Sequence, residues 1–316
     1  MSTKYKTTIA VAQIRSTDDP KHNLEISKKV IRKAAEKGAK AIFLPEASDF
    51  INQSYEESRK LSLPLNQHLF TKGLQEIAKE LKVLISVGIH EGPESKDEKR
   101  FYNTHLIIGI DGNLLASYRK LHLYDVELTK PPNEDGSIPP PQRTGESDRI
   151  LPGQKIINPI DTGIEGLGKL GLEICYDIRF PELSLILTRL GATTLLFPSA
   201  FMVKTGRDHW ATLVRSQAIQ NQSFVIASAQ YGAHNPKRTS WGESLAFDPW
   251  GKQLGRLRSV DDTLPGSDEK VEKIYEDEGE FFLAEIDDSI IKDTRSQIPL
   301  AVQRRKDIYG VVGENI

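Results

Sequence analysis

The sequence predicts an α/β fold in which mixed sheets are covered by helices, and three observations carry that expectation. Apolar runs of strand length alternate with helix-period patterns along the chain. Two strand-like runs flank Asp111-Gly112, a hairpin signal, so part of the sheet is expected to be antiparallel. With 316 residues, 38% hydrophobic and 27% charged, the chain has the composition of a soluble protein that buries a sizeable core.

Taken in order, TTIAVAQI reads as a buried strand. Leu24, Ile31, Ala34 and Ala35 recur at helical spacing between Pro20 and Lys37, with Gly38 as the stop. AKAIFLPEAS is the next strand, ended by Pro45 with Glu46 just beyond. A helix over 69–82 leads to the continuous apolar strand VLISVGIH, and the hairpin FYNTHLIIGIDGNLLASYRK ends at Lys120. KLGLEI, TTLLFPSAF, SFVIASAQ, ESLAFDPWGK and EFFLAEI are the later strands, with helices over PELSLILTRLGA and HWATLVRSQAIQ. Two stretches lack periodicity. Residues 125–153, with six prolines between 131 and 152, are expected to be an unstructured stretch: a lid, a binding loop or disorder. Residues 258–280, acidic and polar, are expected to form a solvated surface loop.

The 42 basic and 44 acidic side chains leave a net charge of -2, so charge gives no reason to expect nucleic acid or an anionic membrane as partner. The opening MSTKYKTTIAVAQ soon meets Gln13 and Arg15, without the long apolar region of a signal peptide, and no later run approaches a membrane span. A cytoplasmic setting is the expectation.

Cys175 is the only cysteine, which excludes an intramolecular disulfide and a thiolate metal cluster. A lone cysteine is commonly a small core hydrophobe. This one, however, follows KLGLEI at the carboxyl end of a strand, where open α/β sheets present chemistry. Pro181 suits the first turn of the next helix, and a nucleophile on a strand-to-helix turn has a backbone N–H beside it to stabilise an oxyanion. A thiol nucleophile also needs a base and a stabilising charge. No histidine stands beside Cys175 in a protease-like pattern, whereas Glu46 and Lys120 each follow an apolar strand directly.

FLPEAS around Glu46, YRKLHLYD around Lys120 and LEICYDIRFPEL around Cys175 resemble the three signature segments of the nitrilase superfamily, in the family's order. Within it the chain is most similar to the Nit-type amidases, through CYDIRFPELSL, FPSAF, SWGES and DPWG. The resemblance implies a four-layer α-β-β-α sandwich built by residues 1–316 as a single domain. It implies a cysteine amidase in which Glu46 takes the proton of Cys175, while Lys120 and the Tyr176 backbone N–H stabilise the oxyanion. A second glutamate is implied between the lysine and the cysteine: Glu146, in TGESDRILPG, with Glu127 as the competing candidate. No metal or organic cofactor is implied. A homodimer or larger assembly is implied, formed by stacking two sandwiches, with the tail beyond Asp307 contributing to the contact.

Arg179 could form an ion pair with Glu182 or Asp177, or a bidentate contact to a substrate carboxylate or α-keto acid. Phe201 and Thr205 are expected to border the pocket, and His209-Trp210 to pack at a helix start. His234, Lys237 and Arg238 make a basic loop that could meet a second carboxylate at the far end of a longer substrate. These features suit deaminated glutathione, an amide of α-ketoglutarate with cysteinylglycine, and Pro181 and Ser199 resemble that branch more than the ω-amidases acting on α-ketoglutaramate. Other hydrolases of the superfamily and a non-catalytic scaffold are the rivals. A redox-sensing thiol is disfavoured by the lack of a resolving cysteine.

Overall fold

The computed structural model describes residues 6–95, 97–129, 132–262 and 268–314. Strands β1 (Lys6–Ile14), β2 (Ala41–Phe43), β3 (Leu84–Glu91), β4 (Tyr102–Ile108) and β5 (Leu114–Arg119) lie side by side in the first sheet. A small antiparallel pair follows, β6 (Asp125–Leu128) with β7 (Gln142–Gly145). The second sheet takes β8 (Ile160–Asp161), β9 (Lys169–Leu172), β10 (Thr194–Leu196) and β11 (Phe224–Ala227). The chain then returns to the first sheet with β12 (Ala229–Asn235) and β13 (Arg238–Trp241), and to the second with β14 (Leu245–Phe247) and β15 (Gln253–Arg256). Finally β16 (Glu280–Asp287) pairs antiparallel along β1. Both sheets are mixed, and the Asp111-Gly112 signal marks the antiparallel β4–β5 hairpin of the first: Gly112 takes a φ of 82° in that turn, a conformation that glycine adopts without penalty.

The helices are α1 (Pro20–Glu36), α2 (Tyr55–Leu61), α3 (Leu69–Leu81), α4 (Pro181–Arg189), α5 (Val203–Thr205), α6 (Ala211–Asn221), α7 (Asp268–Asp277) and α8 (Asp288–Gln297). Two single turns, α9 (Leu300–Gln303) and α10 (Lys306–Tyr309), end the described chain. Asp19 caps α1 by accepting from the Lys21 N–H at 2.9 Å, with Pro20 at its first position.

Alternation along the strands sorts the core into layers. Ile9, Val11, Phe43 and Ile107 point between the sheets, where they meet Leu170, Leu195 and Val225, with Leu187 of α4 and Val214 of α6 in the same cluster. The intervening Ala10, Ala12, Ile42 and Ile85 point the other way, against Val30 and Ile31 of α1 and Leu74 and Ile77 of α3. Strands buried on both faces read as continuous apolar runs. The result is a helix–sheet–sheet–helix sandwich.

Three expectations need correction. SFVIASAQ is two strands: β11 belongs to the second sheet and β12 to the first, with only Ser228 between them. Hydroxyls bridge the step, Ser228 Oγ donating to the Leu44 carbonyl at 3.2 Å and Ser244 Oγ to that of Ala12 at 3.0 Å. No Pro or Gly marks it. Residues 125–153 contain the β6–β7 pair and a 3₁₀ turn, Glu146–Asp148, rather than an unstructured loop, with residues 130 and 131 outside the described residues. The 258–280 stretch contains α7, whose Val271 and Tyr275 are buried, with Tyr275 stacked on Tyr231 at 4.2 Å. Residues 263–267 lie outside the described ones. Helix α2 was not anticipated, although Ser54 caps it by accepting from the Glu57 N–H in a Ser-x-x-Glu pattern.

Candidate active site

Segments that follow β2, β5, β9 and β10 converge on a cavity of about 530 Å³, and Glu46, Lys120, Glu146 and Cys175 all line it. Glu46 and Lys120 expose 5% and 2% of their surface and Cys175 9%, so the reacting groups are largely withdrawn from bulk water.

Each side chain is held by its local backbone. Glu46 follows β2 and Pro45, and Gly88 of β3 lies beneath it. A Cβ at position 88 would come within 2.6 Å of the Glu46 Cα, so only glycine permits this approach. Cys175 opens a 3₁₀ turn, Cys175–Arg179, with a φ of 46°, and Ala47 beside Glu46 has a φ of 53°. Non-glycine residues rarely occupy this region, and such strain persists only where the surroundings impose it. Asp177 does so at the thiol. Its Oδ2 accepts from the Ile174 N–H at 2.9 Å and the Tyr118 hydroxyl at 2.7 Å, and its Oδ1 from the His122 N–H at 3.1 Å. His122 Nδ1 adds a contact to Oδ1 at 2.7 Å. The cysteine turn is thereby tied to β5 and to the segment carrying Lys120.

Lys120 Nζ donates to Glu46 Oε1 at 3.2 Å and to the Glu146 oxygens at 3.0 and 2.9 Å. Asn103 of β4 binds the carboxylates together, its Nδ2 donating to Glu46 Oε1 at 2.7 Å and to Glu146 Oε1 at 3.3 Å. The Tyr124 N–H donates to Glu146 Oε2 at 2.6 Å. Burial would raise Glu46, but the Lys120 charge and hydrogen bonds from Cys175, Asn103 and Lys120 hold it below its ordinary value. Burial likewise opposes the Lys120 charge, yet Glu146 and Glu46 hold the ammonium well above its ordinary value. Burial and the Glu46 charge push the Cys175 thiol up, against Lys120 and a hydrogen bond from the Ala200 backbone. The resting constellation is therefore a carboxylate, an ammonium and a neutral thiol hydrogen-bonded to that carboxylate. Such a thiol becomes a nucleophile by giving up its proton as it attacks.

Tyr176, Arg179, Phe201, Thr205, Lys237 and Arg238 also line the cavity. Arg179 makes no ion pair with Glu182 or Asp177 among the described residues. Its Nη2 meets His209 Nδ1 at 3.1 Å, and its guanidinium lies 5.9 Å from the Tyr176 ring and 5.7 Å from Phe201. His209 is exposed, whereas Trp210 is buried and donates Nε1–H to the Glu243 carbonyl at 2.8 Å. Arg238 Nη2 donates to the Ala200 carbonyl at 2.5 Å. His234 is a correction: it does not line the cavity, because Nδ1 meets the Ser16 carbonyl at 2.8 Å and Nε2 meets Ser240 Oγ at 2.9 Å. Glu127 is exposed on β6, away from the cavity. Among the described residues, no group of three or more His, Cys, Asp or Glu could hold a metal ion.

Asn103, Tyr124 and Asp177 were not singled out from the sequence as functional residues. Asn103 Oδ1 and the Tyr124 hydroxyl are buried without a hydrogen-bond partner among the described residues, while both residues line the cavity. Buried polar atoms in folded proteins are nearly always satisfied, so an orphan in a cavity wall marks a place for a water or a ligand group.

The carbon-nitrogen hydrolase family model matches residues 8–264. This chain belongs to the carbon-nitrogen hydrolases, the nitrilase superfamily. Among sequence relatives of this hydrolase, the deaminated glutathione amidase of Bos taurus is 40% identical over 96% of this chain and 84% of that protein. The nitrilase and fragile histidine triad fusion protein NitFhit of Caenorhabditis elegans is 40% identical over 95% of this chain, which spans 61% of the fusion. The solved C. elegans NitFhit structure matches with a TM-score of 0.81 and 37% identity, over 98% of this chain and 67% of that one. Saccharomyces cerevisiae Nit3 matches with a TM-score of 0.75 and 28% identity, over 95% and 97%. Carbon-nitrogen hydrolases of this kind act on amides, and among the described residues no helix is long and apolar enough to cross a membrane.

Proposed function

We propose that this hydrolase cleaves deaminated glutathione to α-ketoglutarate and cysteinylglycine through a thioester on Cys175. One observation supports the chemistry above all: a buried ammonium held between two carboxylates, one of which accepts from the only thiol. Glu46 takes the Sγ proton as sulfur attacks the amide carbon. The carbonyl electron pair moves onto oxygen, where Lys120 and the Tyr176 N–H receive it. Collapse breaks the C–N bond, and the proton held by Glu46 passes to the leaving amine. Water then surrenders a proton to Glu46 and attacks the thioester; collapse breaks the C–S bond and releases the acid, and Glu46 returns that proton to the Cys175 sulfur, restoring the resting thiol. Glu146 holds Lys120 in place throughout.

The names of the amidase relatives support the substrate, and so does the cationic wall of Arg179, Lys237 and Arg238, which suits the α-keto acid end rather than the far carboxylate expected from the sequence for Lys237 and Arg238. A metabolite-repair role follows from that substrate, with the cytoplasm as the proposed setting. The chain acts as one domain and pairs as a homodimer, to which the exposed Val302, Ile308 and Tyr309 near its carboxyl end contribute apolar surface.

The test is parallel turnover of deaminated glutathione and α-ketoglutaramate by the purified protein. Faster release of cysteinylglycine supports this assignment, and faster release of ammonia transfers the enzyme to the ω-amidases.

A further inference from the structure

The cavity has a second wall that the chemistry above leaves unused. The His90 ring stacks on Phe50 at 4.3 Å and meets the edge of Phe101 at 5.5 Å. Tyr55 stacks on Phe101 at 6.4 Å, and the Arg149 guanidinium lies 6.0 Å over the Tyr55 ring. Phe50, His90, Phe101 and Arg149 all line the cavity. The His90 ring is fixed from behind. Buried Asp49 takes its backbone N–H and its Nδ1, each at 2.9 Å, which leaves Nε2 as the free ring nitrogen. Arg149 is exposed and has no carboxylate partner among the described residues.

This wall is attached to the carboxylates rather than to the thiol turn. His90 pairs across the strands with Asn103, whose amide binds both Glu46 and Glu146. Arg149 directly follows the turn that carries Glu146, and its carbonyl accepts from the Phe101 N–H at 3.1 Å. A carboxylic acid that protonates a leaving nitrogen must touch it, so the substituent on that nitrogen departs past Glu46 and Glu146. The acyl part then lies toward Tyr176, Arg179 and Phe201.

We propose that the Phe50–His90–Phe101–Arg149 wall is the leaving-group subsite, selecting an amine that carries a carboxylate a few atoms from its nitrogen. The inference rests on the amidase reading above and adds which end of the substrate is read by which wall. Aromatic faces take the amine's apolar atoms, and Arg149 takes its carboxylate.

The experiment holds the acyl part constant. α-Ketoglutaryl amides of cysteinylglycine and of its C-terminal carboxamide are compared with the primary amide, α-ketoglutaramate, for wild type, Arg149→Ala and Arg149→Lys. Wild type is expected to favour the free carboxylate over the carboxamide by about tenfold in kcat/KM, mostly through KM. Arg149→Ala erases that preference, leaves the primary amide within about twofold, and Arg149→Lys restores part of the preference. An equal loss on all three substrates, or a carboxylate preference that survives Arg149→Ala, overturns the subsite. A wild type that turns over only the primary amide also overturns it while leaving the Cys175 chemistry standing. Inactivity of wild type on all three overturns the amidase reading and the subsite with it.

Discussion

The cluster around Asp177 and the cluster around Lys120 are built from the same kinds of group, and both are shielded from bulk water. Around Asp177, four donors meet two carboxylate oxygens and no orphan remains on that carboxylate. Around Lys120, two carboxylates crowd one ammonium, a neutral thiol leans on one of them, and Asn103 Oδ1 is left without a partner at a cavity wall. The first arrangement is complete and rigid; the second can still accept a ligand and move a proton. Satisfied polar networks hold geometry, and unsatisfied ones in cavities are where chemistry is available.

The comparison is broken most directly at the thiol. Cys175→Ala is expected to fold normally and to lose turnover on the order of 10⁴-fold, read by product release beside an unchanged melting curve. Glu46→Gln keeps the shape but not the base, so a loss of roughly 10²- to 10⁴-fold is expected, with substrate binding retained. On the complete side, Asp177→Asn must turn an amide NH₂ toward donors that now find carboxylate. It is expected to cost about 1–3 kcal/mol of stability by urea unfolding and to lower kcat without changing the substrate preference.

The pH response sharpens the contrast. Because burial and Glu46 hold the Cys175 thiol above its ordinary value, thiolate does not accumulate as pH rises through the usual thiol range. Alkylation by iodoacetamide should stay slow up to about pH 9, unlike that of an exposed cysteine. His105, behind the thiol turn, gives the smallest effect. Its Nδ1–H donates to the Glu173 carbonyl at 3.0 Å, so Nε2 accepts from Ser86 Oγ at 2.7 Å, and burial lowers it to about 3. The unfolded chain therefore binds more protons below an ordinary histidine value of about 6.5, and stability present at neutral pH is lost as pH falls. About 2 kcal/mol from His105 should disappear between pH 7 and 5, and His105→Gln should remove that share while His234, also lowered to about 3 by burial, keeps its own.

Glu46, Lys120 and Cys175 were legible because each is a chemistry-bearing residue directly after an apolar strand, and strand ends converge in sandwiches of this kind. Glu146 was legible only through resemblance, since its neighbours looked like loop. Asn103 and Asp177 were not, because a buried polar residue acquires meaning only from partners far away in the chain: Asn103 from Glu46 and Glu146, Asp177 from Tyr118 and His122. His234 misled for the complementary reason. Its charge neighbours pointed to a ligand, while Ser16, distant in sequence, had already taken its ring nitrogen. The same distance effect hides the step at Ser228, where an unbroken apolar run changes sheets, and α7, whose acidic composition conceals an apolar edge of Val271 and Tyr275.

The central claim, that the buried thiol carries the acyl group, is tested by mixing the enzyme with deaminated glutathione, quenching within the first turnovers and weighing the intact protein. The account predicts a transient gain equal to the α-ketoglutaryl group, mapped to Cys175, absent in Cys175→Ala and matched by release of cysteinylglycine. Product formation without any adduct, or undiminished turnover by Cys175→Ala, would contradict it.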